Sequence, residues 1–72
     1  MKVKNNLRVL LAKHDINQRD FAERSGISER TISIAVNQKL VRYPMPLIEA
    51  MVKEFKITDM NEIFTIIPDE ET

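Results

Sequence analysis

Seventy-two residues with no cysteine, a single glycine and a formal net charge of zero make one small domain, with no room for a second and no thiols for disulfides or thiolate-bound metal. No apolar run reaches the roughly 20 residues that span a bilayer, and the Met-Lys-Val-Lys start leads into an amphipathic segment rather than a signal sequence, so a cytoplasmic protein is expected. The zero hides two unlike halves: residues 1–42 carry nine basic side chains against four acids, net +5, and residues 43–72 two against seven, net −5, which suits a basic half facing phosphate or another protein's acidic face.

Leu7, Leu10, Leu11 and His14 recur at the i, i+3, i+4, i+7 spacing of one buried stripe, and Val3 extends it backwards. A first helix over residues 5–14 follows, with His14 packing on the core at its end. Residues 15–17 connect it to a second helix over residues 18–25, which Asn17 caps by accepting a backbone N–H of the next turn. Gly26 takes the positive φ that turns the chain sharply, and Ser28 caps a third helix over residues 29–37. Ala22 lets the two helices approach closely, and Phe21, Ile27, Ile32 and Ala35 face a shared core. The pattern is a helix-turn-helix whose second member keeps one side free for a partner.

Residues 38–45, QKLVRYPM, lack helical periodicity, and Pro44 and Pro46 hold the residues before them extended. Pro46 opens a fourth helix with Leu47, Ile48, Met51, Val52 and Phe55 on its apolar face. Thr58 is expected to cap a fifth segment, with Asp59 and Glu62 at its positive end and Met60, Ile63, Phe64 and Ile67 turned inward or toward a partner. Pro68 ends it. The expectation is an all-α domain of five short helices over residues 1–67 and a short, mobile acidic tail over residues 68–72. There is no internal repeat and no low-complexity segment.

This order of helices, with residues 17–18, 21–22, 26–28, 31–33, 47–52 and 55–57 at their spacing, resembles the Cro/repressor family, the lambda-repressor-like DNA-binding domains. The likeness covers roughly residues 7–64. It implies that Gln18 meets a phosphate oxygen and that Ser28, Glu29, Arg30, Ser33, Ile34 and Asn37 form the groove-facing side of the third helix. Arg30 is the strongest reader, because a guanidinium can donate two parallel hydrogen bonds to guanine O6 and N7. Lys39, Arg42 and Tyr43 would then touch backbone phosphates, with Arg19 a weaker candidate of the same kind. The chain departs from the family pattern at Glu29, whose carboxylate can accept from cytosine N4 but weakens nonspecific attraction to phosphate, and at Ser25, Ile34, Val36 and Gln38, where the family favours an apolar residue, a polar base contact, an acid and glycine in turn.

Two functions stand open at this point. One is an operator-binding regulator of a phage lysis/lysogeny switch, as the resemblance implies for a short member of this family, docking as a homodimer on double-stranded DNA. The other is an antirepressor similar to the modulators of repression, using helices two and three to grip a phage repressor protein in a heterodimer, for which Ile34 and the apolar loop of Leu40, Val41, Tyr43 and Met45 are suited. Catalysis is not expected, since no nucleophile-base pair, phosphate-cradling glycine loop or metal-ligand spacing is present, and neither is a cofactor or a metal.

Overall fold

The computed structural model describes residues 2–69. The chain runs β1 (Lys2–Asn5), α1 (Leu7–Lys13), α2 (Gln18–Ser25), α3 (Glu29–Val36), α4 (Met45–Phe55), a single 3-10 turn (Met60–Glu62) and β2 (Phe64–Ile67). Both ends correct the all-α, five-helix expectation. Residues 2–5 form a strand, so the first helix runs over Leu7–Lys13 rather than residues 5–14, and the fifth helix is one 3-10 turn followed by a strand. β1 and β2 pair antiparallel, with Lys2, Val3, Lys4 and Asn5 opposite Ile67, Ile66, Thr65 and Phe64. Val3, Thr65, Ile66 and Ile67 are β-branched and favour this state. Their partners lie some sixty residues away, so local periodicity could not reveal the pairing. Asp59, not Thr58, caps the 3-10 turn, its carboxylate accepting the Asn61 N–H at 2.9 Å. The part of the expected tail over residues 70–72 lies outside the described residues.

The middle of the chain forms as its sequence predicts. Asn17 accepts the Asp20 N–H at 2.7 Å and Ser28 the Thr31 N–H at 3.1 Å, so each opens its helix. Gly26 adopts φ 75 and ends α2 in the left-handed region. α3 stops at Val36, with Asn37 as its C-cap. The core takes Leu7, Leu10 and Leu11 from α1, Phe21 from α2, Ile32, Ala35 and Val36 from α3, and Leu47, Met51 and Phe55 from α4, closed by Ile57 and Ile63. Phe21 stacks on Phe55 at 5.4 Å, and the exposed His14 lays its ring 5.0 Å from the same phenylalanine.

Asn5 joins the ribbon to the helices. It is 2% exposed, and its Nδ2 donates to the Ala35 carbonyl and to the Tyr43 hydroxyl, both at 2.8 Å, while its Oδ1 accepts the Leu7 N–H at 3.0 Å. The last of these satisfies an orphan donor at the start of α1. Gln38 completes the joint: its side-chain amide donates to the Asn5 carbonyl at 2.9 Å and accepts the Asn5 N–H at 3.1 Å, standing in for a strand partner.

Candidate functional site

α3 buries Ile32, Ala35 and Val36, and 3.6-residue periodicity then turns Arg30, Ile34 and Asn37 to the opposite side, with Ser33 on its flank. Glu29 and Arg30 are exposed in the first turn, and Arg30 has no ion-pair partner among the described residues. Ser28 is committed to capping: besides accepting from Thr31, its hydroxyl donates to the Thr31 hydroxyl at 2.9 Å. Ser33 is half-buried, and its carbonyl accepts the Asn37 Nδ2 at 3.0 Å. Asn37 sits just past the helix and accepts from the Arg8 guanidinium at 3.2 Å.

The loop after α3 separates the remaining candidates. Lys39 and Arg42 are exposed, whereas Tyr43 is half-buried, with its hydroxyl against Asn5 and its ring edge-on to Phe64 at 5.3 Å. Ile34 is half-buried because Leu40, Val41, Arg42, Tyr43 and Pro44 form, with Thr31, an open hollow of about 510 Å³ beside it. On α2, Arg19 projects into solvent at 3.9 Å from Glu23, a highly exposed pair of little energetic weight. Gln18 is half-buried in a cleft of about 320 Å³ shared with Arg8, Leu11, Ile16, Asn17 and Val36.

Arg8 is the residue that sequence reasoning passed over. It borders the Gln18 cleft on one side and, with Lys4, Asn37 and Gln38, a second cleft of about 320 Å³ on the other, so it links the start of α2 to the end of α3. Its position beside Leu7 in a short amphipathic helix was a usable signal, but only the fold puts it next to Asn37. The hollow and the two clefts that border α3 are lined by Lys4, Arg8 and Arg42 and by no carboxylate. Glu49 and Glu54 lie instead in the cleft between α2 and α4, where Glu54 meets Arg24 at 2.6 Å. The charge segregation of the sequence therefore places Lys4, Arg8 and Arg42 in the clefts beside α3, an arrangement that attracts a polyanion there, while the exposed Glu29 stands in the first turn of the helix.

Among the described residues no helix is long and apolar enough to cross a membrane. Residues 6–69 match the model of a family described as the Cro/C1-type HTH DNA-binding domain. No curated protein and no solved structure matches the chain.

Proposed function

The chain belongs to the Cro/C1-type helix-turn-helix DNA-binding domains, and from that premise we propose that it is a regulator of a phage-type genetic switch that reads operator DNA with α3. The observation that carries the reading is the outward ridge of α3, exposed at Arg30 and Asn37 and half-buried at Ile34, with Lys4, Arg8 and Arg42 beside it. A helix laid in the major groove presents such a ridge to base edges while flanking cations hold the phosphates. Arg30, free of a carboxylate, is the donor for a guanine. Ile34 offers an apolar surface that fits a thymine methyl. Gln18 and Arg8 stand where a backbone phosphate would approach the start of α2, and Lys39 and Arg42 serve the strand on the other side. The phage-switch assignment rests on likeness to that class of regulator in helix order.

Selection of binding sites from a pool of random duplexes tests this reading. A recovered motif with a guanine whose preference disappears in Arg30→Ala supports it; an unenriched pool refutes it. The hollow beside Ile34 favours a second reading, in which the same face grips the DNA-reading surface of a phage repressor protein and removes it from its operator. Under that reading a repressor–operator complex dissociates when the protein is added, and Ile34→Asp leaves the complex intact.

A further inference from the structure

The hollow beside Ile34 has walls that the fold anchors at both ends. On the α3 side, Thr31 and Ile34 lie about one turn apart, and the Ile34 carbonyl accepts the Lys39 N–H at 3.0 Å, which fixes where the loop departs. On the far side, Tyr43 is tied by its hydroxyl to the buried Asn5, and the Pro44 carbonyl accepts the Leu47 N–H at 2.9 Å as α4 begins. Leu40 packs against the core between these anchors. The space they enclose, about 510 Å³, falls within the roughly 300–1,000 Å³ of small-molecule sites.

The lining is apolar, with a few hydrogen-bond donors and no carboxylate. Arg42 is its one charged residue, is exposed, and makes no ion pair among the described residues. The Thr31 hydroxyl accepts from Ser28 at 2.9 Å, which leaves its own proton without an acceptor among the described residues. The backbone N–H groups of residues 40–43 make no hydrogen bond among the described residues either. A cationic ligand would meet Arg42 uncompensated. A molecule with an apolar body and one anionic group matches both the floor and the donors.

We propose that this hollow is an effector site for a small apolar carboxylate, an aromatic or branched acid whose body lies on Ile34, Leu40 and Val41 and whose carboxylate pairs with Arg42. Ile34 belongs both to the hollow and to the outward ridge of α3, so a bound acid and a DNA major groove compete for the same side chain. Arg42 is shared in the same way, because a carboxylate on it takes the place of a phosphate. The effect on DNA rests on the reading of operators by α3, whereas the ligand site does not, since it is measured without DNA.

Titration of the isotope-labelled full chain with naphthoate, followed by its backbone amide resonances, is the test, with naphthamide as the neutral control. Saturable shifts confined to Thr31, Ile34 and residues 40–43 are expected, with the acid bound about fivefold more tightly than the amide. Arg42→Gln should erase that preference and keep the shift at Ile34. Val41 is 94% exposed, so Val41→Asp spares the fold and should weaken the acid more than the amide. Shifts scattered over the surface, no saturation at millimolar probe, or equal binding of acid and amide overturn the proposal. So do shifts of the same amides with protein concentration alone, which would put a second copy over the hollow. Naphthoate should also raise the Kd for a selected duplex. A duplex affinity that naphthoate leaves unchanged overturns the competition, while a chain that selects no duplex even without naphthoate overturns the reading of DNA and leaves the ligand site standing.

Discussion

Single residues in this domain divide into those that hold α3 and those that use it. Asn5 holds it: three hydrogen bonds converge on a side chain that is 2% exposed. Asn5→Ala leaves the Leu7 N–H and the Ala35 carbonyl without this partner, and chemical denaturation should show a loss of about 2–3 kcal/mol. Gly26→Ala isolates backbone strain, because an added Cβ meets nothing within 4 Å while φ stays at +75. The expected cost is about 1–2 kcal/mol, and a cost near zero would mean the turn relaxes out of the left-handed region. Asn17, Gly26 and Ser28 were legible in the sequence because each acts through neighbours within a few residues, and Phe21 because it lies on a helical apolar stripe. Asn5 was not, since its partners at Ala35 and Tyr43 are thirty or more positions away and nothing local marks an asparagine as buried. The same holds for Tyr43, which reads as a solvent-facing aromatic until Asn5 and Phe64 are placed beside it.

Among the elements, the helix ends differ in how they meet the left-handed region. α2 uses Gly26, but α1, α3 and α4 are followed by Asp15, Gln38 and Lys56 at φ 56, 63 and 54. With one glycine in the chain, three helices end on a residue whose Cβ disfavours this conformation. Lys56 is exposed, and no side-chain hydrogen bond of its own is found among the described residues. Lys56→Gly should therefore stabilise the fold by about 0.5–1 kcal/mol, a rise in Tm of roughly 2–8 °C. Gln38→Gly should do the opposite, by about 1 kcal/mol, because relief at φ is outweighed by the loss of both hydrogen bonds to Asn5. Paired thermal melts of the two variants check the difference in sign. The departure from glycine at this position, noted in the sequence, is thus explained by a side chain that serves as a strand partner. The helices α2, α3 and α4 were readable because their stripes and caps are local. The ribbon was not, since four-residue segments carry too little period to distinguish a strand from the end of a helix.

At the scale of the whole molecule, the zero net charge conceals the cations Lys4, Arg8 and Arg42 beside α3, and the fold keeps Glu49 and Glu54 in a separate cleft. Binding to DNA through those cations should weaken steeply with salt, since each neutralised phosphate releases about 0.9 condensed counterion. Arg8→Ala should lower affinity for all duplexes alike and reduce the salt slope by about one, which distinguishes a phosphate contact from a base contact. The measurement that bears most directly on the outer side of α3 as a reader of sequence is an anisotropy titration of a selected duplex and a scrambled one, with wild type and Arg30→Ala, at two salt concentrations. The account predicts that Arg30→Ala loses about 1–3 kcal/mol on the selected duplex and discriminates less between the two. Equal binding of both duplexes by the wild type, or undiminished discrimination in Arg30→Ala, would contradict it.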